Sequence, residues 1–436
     1  MKRVAITTLG CKTNQFESAT MILQLEEAGY EIVPFSETAD IYVVNSCTVT
    51  ARTDTETRRL IRRARRLNPL SRIVATGCYA QVARGDLERM PELDIVLGNR
   101  EKLEIAALLE SSDSLVSDIS GEHMSEPLKL TSFAEHTRAF LQVQNGCNSF
   151  CTYCIVPFAR GPSQSVLPDA VLEGVRTLAL NGHKEVVLTG IHLGAYGLDL
   201  AEKGSLTELV KKIDNERLVP RLRIGSIEPN EVDDELLEMM AKSKIICPHL
   251  HLPLQSGSDT VLKRMGRRYS SQFFRGLVDK ITATLPNTFI GADLIAGFPG
   301  ESAAEFDETV KLLEELPFSD LHVFPYSSRP GTRAAGMTGH LPPDLIKKRA
   351  AQLRSIAELK KQAFLARQLG LKLNVLVQGY DSKSSICRGL SQNYCLVSFI
   401  GEEAYLNREM NVTVIGGDSS TLIGSADSIV TSLPFP

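Results

Sequence analysis

Cys147, Cys151 and Cys154 stand in one eight-residue segment, Cys147-Asn148-Ser149-Phe150-Cys151-Thr152-Tyr153-Cys154, just after the apolar run Phe140–Val143. Thiolates are the ligands of iron–sulfur clusters. Three of them on a loop behind a strand can hold three irons of a 4Fe–4S cluster and leave the fourth open, since no further cysteine is near. An open iron can chelate the amino and carboxylate groups of S-adenosylmethionine. An electron passed into the sulfonium then yields a 5′-deoxyadenosyl radical, the cofactor carrying the chemistry while the protein positions it. The competing reading is a zinc knuckle, which normally wants four Cys or His ligands.

Cys11, Cys47 and Cys78 are far apart in sequence but share a context. Residues 3–109 alternate short apolar runs (Val4–Leu9, Ile41–Asn45, Ile73–Thr76, Ile95–Leu97) with helical patterns such as Ala19–Ala28 and Thr57–Leu67. Such alternation predicts parallel strands with crossover helices. Three of the strands end in a cysteine: Leu9-Gly10-Cys11, Asn45-Ser46-Cys47 and Thr76-Gly77-Cys78. Ligands in an open α/β sheet bind at the carboxyl ends of strands, so these cysteines can converge at one edge. Three buried small hydrophobes are the alternative, because free Cys is often simply core.

Residues 110–132 are rich in Ser and acidic residues and read as a linker. Strand-like runs then resume at Phe140–Val143, Val186–Leu188, Leu222–Ile227, Leu250–Leu254, Phe289–Ile295 and Leu321–Phe324. Helical patterns separate most of them, including Asp169–Leu180, Asp233–Ala241 and Ala304–Leu316. Six such units predict a (β/α) barrel that is not fully closed, with its site at the carboxyl-end face. A long basic helix follows around Ile346–Leu369. From Leu371 onward, runs at Asn374–Val377, Cys395–Ile400, Val412–Ile415 and Thr421–Ile423 alternate with turn residues, the pattern of a small β-barrel. The fold class expected is therefore α/β with an appended all-β module.

The bulk numbers agree with that. A chain of 436 residues leads one to expect about three domains. Its 43% hydrophobic and 23% charged content is ordinary for a globular protein. A net charge of −4 argues against coating nucleic acid by bulk charge, though a local basic surface is compatible with it. No stretch approaches the roughly 20 apolar residues of a transmembrane helix, and Val4–Leu9 reads as a strand rather than a signal-peptide core. Nine cysteines, six of them grouped in threes, fit metal binding in a reducing cytoplasm better than a disulfide framework. A cytoplasmic location is the expectation.

Cys-x3-Cys-x2-Cys with an aromatic residue before the last Cys resembles the radical S-adenosylmethionine superfamily. Asn145-Gly146-Cys147 and Ile155-Val156-Pro157-Phe158-Ala159-Arg160-Gly161 are similar to the methylthiotransferases within it. So are Leu9-Gly10-Cys11-Lys12-Thr13-Asn14-Gln15, Val44-Asn45-Ser46-Cys47-Thr48-Val49 and Gly77-Cys78-Tyr79-Ala80. The resemblance runs through the whole chain. It implies a methylthiotransferase domain at 1–112, a linker at 113–132, a radical core at 133–366, and a small RNA-binding β module of the TRAM sort at 367–436. It also implies a second 4Fe–4S cluster on Cys11, Cys47 and Cys78, whose open iron accepts a sulfur species. S-adenosylmethionine is then consumed twice, as methyl donor and as radical source.

Members of the family methylthiolate an isopentenylated adenosine, an N6-threonylcarbamoyl adenosine beside the anticodon of tRNA, or an aspartate of a ribosomal protein. Thr8-Leu9-Gly10-Cys11-Lys12 and Asn145-Gly146-Cys147-Asn148 look most like the threonylcarbamoyladenosine group. Its implied partners are tRNA, an electron donor such as flavodoxin or ferredoxin, and a sulfur source. A non-catalytic iron–sulfur protein that binds RNA or senses redox state is the alternative from another class.

Further residues follow from position. Ser226 and Glu228 follow the third barrel strand, Gln255 closes the fourth, and Asp293, Gly297 and Pro299 lie at the end of the fifth. Polar groups and close backbone there are candidates to hold the cofactor. No catalytic residue beyond the cluster ligands is assigned. His249 and His251, two apart on a strand, are expected to pack and hydrogen-bond rather than to bind metal. Arg58, Arg59, Arg62, Arg63, Arg65 and Arg66 lie on one helix and are candidates for phosphate contacts. A merely solvated face is the alternative. Tyr394, Phe399 and Tyr405 either stack bases or fill the terminal barrel, and Cys247, Cys387 and Cys395 are expected to be core.

Overall fold

The computed structural model describes residues 1–111, 113–121 and 137–429, without the side chains of the last two. Five parallel strands open the chain: β1 (Arg3–Thr8), β2 (Glu31–Val33), β3 (Ile41–Ser46), β4 (Arg72–Gly77) and β5 (Ile95–Val96). Their spatial order is β2-β1-β3-β4-β5. That is a doubly wound sheet whose order reverses between β1 and β3, the place where such sheets bind ligands. β3 is buried along its whole length, because helices cover both faces. α1 (Lys12–Glu27) and α2 (Ala51–Leu67) are the long crossovers, and α3 (Cys78–Val82), α4 (Arg84–Glu88) and α5 (Ile105–Leu108) are short. Thr50 starts α2 with a reciprocal capping box to Thr53.

Two glycines bring the strand ends together. Gly10 sits at φ +102°, and a side chain there would meet Cys47 Cβ at 2.7 Å. Gly77 sits at φ +92°, where a Cβ would meet the Ser46 carbonyl at 2.5 Å. Only glycine tolerates such a backbone at such a distance. The turn bearing Cys11 therefore lies against Cys47, and the strand leading to Cys78 lies against the residue before Cys47.

The segment read as a linker begins with structure. Leu97 pairs with Leu115 as a parallel bridge, and Val116 packs on the core, so residues 113–119 edge the sheet. Residues 122–132 of that reading lie outside the described residues.

Six parallel strands form the middle of the chain: β6 (Arg138–Gln142), β9 (Glu185–Thr189), β10 (Arg221–Ile224), β11 (His249–Gln255), β12 (Phe289–Ala296) and β13 (Asp320–Pro325). The small ladder of β7 (Gln144–Asn145) with β8 (Gln164–Ser165) brackets the cysteine loop and the helix α6 (Val156–Arg160). The six pair as β6-β9-β10 and β11-β12-β13, joined by single bridges Leu222–Ile246 and Ser226–His251. The result is a partial barrel, open between β6 and β13. Helices α7 (Pro168–Leu180), α8 (Leu206–Glu216), α9 (Asp234–Lys242), α10 (Asp259–Met265), α11 (Ser271–Thr284) and α12 (Ala303–Glu315) surround it. α1 of the N-terminal sheet packs against the edge strand β6.

α13 (Pro343–Ala366) runs along β12 and β13 into a closed five-stranded barrel. Its strands are β14 (Lys372–Asp381), β15 (Ile386–Ser391), β16 (Leu396–Ile400), β17 (Glu409–Gly417) and β18 (Leu422–Ile429). Cys387, Cys395 and Phe399 fill its core, and Cys247 is buried in the central domain. Tyr394 leaves the small barrel and inserts beneath the large one, its ring 4.5 Å from His249, 5.3 Å from Phe289 and 4.9 Å from the Arg223 guanidinium. Tyr405 packs on the same small core. These aromatic residues therefore serve packing and domain contact rather than an open stacking platform.

The floor of the large barrel is held by one carboxylate. Buried Glu185 accepts from Arg138 at 2.7 Å and Arg223 at 2.8 Å, and forms an ion pair with Arg221 at 3.0 Å. The two fully buried arginines also donate to the terminal barrel, Arg221 to Leu390 O and Arg223 to Gln392 O. Burial would push the Glu185 carboxyl up, but the three guanidiniums hold it well below the usual carboxylate range. Glu185→Ala strands those cations in a buried site. It is expected to cost about 3–5 kcal/mol of stability, read by urea unfolding under anaerobic conditions. A loss below about 1 kcal/mol would contradict this account.

Candidate functional site

A cavity of about 350 Å³ opens at the carboxyl ends of the barrel strands. Cys147, Cys151 and Cys154 lie on its wall, together with Ser226, Glu228, Gln255 and Asp293. Val49 and Thr50, from the loop after Cys47, also line it. Four of the six residues expected to hold a cofactor thus meet the cysteine loop in one space. Gly297 and Pro299 do not line it. Gly297 is buried against Ile346 of α13 and its N–H is spent on Glu301. Their turn supports the wall from behind.

Each cysteine of the loop has its own surroundings. Cys147 Sγ lies 3.7 Å from Nδ1 of His192, whose Nε2 lies 2.7 Å from Glu231. Cys151 accepts from Arg267 Nη1 at 3.3 Å. Arg267 also pairs with Glu228, so that carboxylate is already committed to a cation. Cys154 is enclosed, and burial pushes its thiol up to about 12. Burial does the same to Cys47. Thiolate at these positions therefore needs a bound cation to support it. Soft sulfur donors in a set of three, beside a cavity of ligand size, fit an iron–sulfur cluster with one open position and leave a zinc site one ligand short.

Cys11, Cys47 and Cys78 follow β1, β3 and β4 side by side, and a Cβ on Gly10 would stand 2.9 Å from Cys47 Sγ. Cys78 accepts from Arg160 Nε at 3.3 Å. Arg160 ends α6, the helix that starts two residues after Cys154, and α6 is about 7 Å long. Its guanidinium enters the N-terminal domain and binds Glu17 and Asn14. Lys102 donates to the same Glu17 at 2.6 Å and to Asn99 Oδ1 at 2.6 Å. Burial would raise the Glu17 carboxyl, but Arg160 and Lys102 hold it below the usual range. One short helix and one buried ion cluster therefore set the spacing of the two cysteine sets.

His192, Arg267 and Arg160 were not singled out from the sequence. His192 follows the second barrel strand, a strand-end polar position that could have flagged it. Arg267 lies beyond α10, far from Cys151 in sequence, and carries no local signal.

His249 and His251 pack and hydrogen-bond, as expected. His249 packs between Phe289 and Tyr394. His251 Nε2 lies 2.9 Å from Asp293 Oδ1, and His322 Nδ1 lies 3.3 Å from the same oxygen. These three ligand atoms lie within 4.8 Å of one another.

The arginine helix is less free than its composition implies. Arg58 donates to the Tyr79 hydroxyl, Arg59 binds Glu56, and Arg62 approaches Glu92 at 3.5 Å. Arg65 is a structural clasp, donating to the carbonyls of Glu92, Pro69 and Ser71 and to Asp94 at 2.7 Å. Glu56 is a neighbour on the same helix, but Glu92, Asp94 and the carbonyls lie beyond it, which a helix read alone does not reveal. Arg66 stays exposed and Arg63 half-buried, without an ion-pair partner among the described residues.

Arg160→Met removes the fork between the domains and the donor to Cys78. Amide exchange in α1 and α6 is expected to accelerate by tenfold or more, the signature of a broken buried ion pair. Arg160→Lys should restore only part of the protection. Unchanged exchange in both variants would show that the ion cluster does not hold the interface.

Residues 3–98 match the uncharacterized protein family UPF0004, and residues 141–313 match the radical SAM superfamily. The chain is 38% identical over 427 residues to the threonylcarbamoyladenosine tRNA methylthiotransferase MtaB of Bacillus subtilis, covering 95% of this chain and 94% of that one. It is 40% identical over 386 residues to the protein of the same name from Aquifex aeolicus, covering 86% and 92%. It is 32% identical to a tRNA-2-methylthio-N(6)-dimethylallyladenosine synthase of Desulfitobacterium hafniense over 97% of each chain. Among solved structures, the radical S-adenosylmethionine methyltransferase TsrM of Kitasatospora setae matches in fold, with a TM-score of 0.52, 15% identity and 77% of each chain covered.

Proposed function

Because this chain belongs to the radical S-adenosylmethionine tRNA methylthiotransferases, we propose that it methylthiolates C2 of N6-threonylcarbamoyladenosine next to the anticodon of tRNA. The observation that carries the reading is the cavity itself. It is lined both by the three cysteines and by the loop that follows Cys47 of the second set. Relatives named for threonylcarbamoyladenosine share 34–40% identity, against 32–33% for those named for dimethylallyladenosine, which supports the choice of substrate.

Cys147, Cys151 and Cys154 would hold a 4Fe–4S cluster, which would supply the electron for radical chemistry on S-adenosylmethionine, and Cys11, Cys47 and Cys78 would hold a second, which would supply a place for sulfur. The protein's part is positioning. Ser226, Gln255 and Asp293 offer polar groups to the cofactor along the wall. Arg267 and His192 direct N–H groups at the sulfurs of Cys151 and Cys147 and orient them, and His192 lowers the Cys147 thiol. Phe324, Ile295 and Val49 keep the space apolar, so that a reactive carbon radical meets substrate rather than a competing group. tRNA, a low-potential electron donor such as flavodoxin or ferredoxin, and a sulfur source complete the reaction. No helix of the described residues is long and apolar enough to cross a membrane.

Nucleoside mass spectrometry of tRNA tests this, after anaerobic incubation with reconstituted protein, reductant and S-adenosylmethionine. Methylthiolation of tRNA carrying threonylcarbamoyladenosine, absent with an isopentenyladenosine control and lost in Cys151→Ala, is the expected result. Product only on the isopentenyl substrate would reverse the assignment. Replacing Cys11, Cys47 and Cys78 together by Ala should lower bound iron from about eight to about four per chain. An iron content that does not change would remove the second cluster.

A further inference from the structure

Three strands of the large barrel bring two imidazoles and a carboxylate to one place. Asp293 of β12 stands opposite His322 of β13, and His251 of β11 stands opposite Gly291, two residues before Asp293. Residues paired across strands, and residues two apart along one strand, share a face of the sheet. His251, Asp293 and His322 therefore project from the same face, and Asp293 lines the cavity. Gly291 makes room for the first ring, because a Cβ there would meet His251 Nδ1 at 2.8 Å. The imidazole lies over that glycine and its Nε2 reaches Asp293 Oδ1 at 2.9 Å, while His322 Nδ1 stands 3.3 Å from the same oxygen. All three ligand atoms fall within 4.8 Å of one another.

These spacings suit a coordination shell. Around an ion with bonds of about 2.0–2.1 Å, neighbouring ligand atoms stand roughly 3.0–3.4 Å apart. The two contacts to Asp293 match that separation. Two imidazole nitrogens with one carboxylate oxygen favour divalent ions such as zinc or iron(II), whereas the all-thiolate sets favour a cluster. Three protein ligands leave further positions for water or an anionic oxygen. The site is also reachable. The side chains of His251 and Asp293 are largely covered, whereas that of His322 is 58% exposed. His249 has no part in it, because its ring packs against Phe289 and Tyr394. The partners of His251 come from across the sheet, not from its own strand.

We infer that His251, Asp293 and His322 form a mononuclear site for a divalent ion, zinc or iron(II), separate from both cysteine sets, whose open positions take water or an anionic oxygen. Binding displaces the protons that the imidazoles share with Asp293. The site does not depend on which adenosine is modified.

The test uses the full-length protein with its clusters reconstituted, desalted and dialysed anaerobically against micromolar zinc. Wild-type protein is expected to retain about one equivalent of zinc, with an X-ray absorption shell of nitrogen and oxygen at about 2.0–2.1 Å and no sulfur at about 2.3 Å. His322→Gln and Asp293→Asn keep polar side chains that still hydrogen-bond. Each should weaken zinc binding by roughly tenfold or more, since even an outer partner of a ligand is worth that much. Iron content should not change. If Asp293→Asn lowers iron through its place on the cavity wall, His322→Gln decides, being on the edge strand and more exposed. A sulfur shell, or zinc retained equally by both variants, puts the ion elsewhere and overturns the site. Wild-type protein that retains no zinc overturns it as well, and leaves Asp293 as a carboxylate shared by two imidazoles.

Discussion

Arg160 ends a five-residue helix that begins beside Cys154, yet its guanidinium is buried in the neighbouring domain against Glu17, Asn14 and Cys78. A guanidinium so enclosed is tolerable only if nearly all of its donors are satisfied by a charge and by hydrogen bonds. That requirement fixes the position of the N-terminal sheet against the barrel to within the length of a hydrogen bond. Lys102 and Asn99 complete the cluster from the far side, and Asn99 also donates to the Ala159 carbonyl of the same helix. Two cysteine sets that belong to different domains are thereby held at one spacing, which a linker between domains would leave variable.

The same device recurs elsewhere in the molecule. Arg329 joins Thr48 and the buried Asp54 near the start of α2, tying the loop after Cys47 to the end of the barrel. Glu185 and its three arginines fasten the terminal barrel to the floor, with Tyr394 packed into the joint. Domains joined by apolar contact alone tolerate sliding. Fork-shaped guanidinium contacts with fixed angles do not. The reaction attributed to the family needs two cluster sites and one cavity in register, and these joints provide that register.

Charge is also arranged within the site. His192, Arg267 and Arg160 each direct an N–H toward a different cysteine sulfur. Donors of this kind favour thiolate and orient the ligand.

Much of this protein is legible in its residues. The cysteine spacings, the strand ends that carry them, the six strands of the barrel and the β-rich end are local patterns of period and turn chemistry, and local patterns survive in a one-dimensional reading. The losses occur where a third dimension supplies the partner. The first turns of α1 carry Thr13, Asn14, Glu17 and Ser18 on a buried face, so the helix lacks an apolar stripe there and is recognisable only from Ala19 onward. β15, with Gly389 and Ser391, reads as turn and becomes a strand only because the barrel closes around it. The arginines of α2 look like a phosphate surface until Glu92 and Asp94 arrive from other loops. Sequence alone determined which atoms could bind metal, because ligand chemistry belongs to residue type. Only the tertiary structure decided which polar groups are paired and which are left free to meet a ligand, because pairing is a matter of distance between segments that the chain order does not encode.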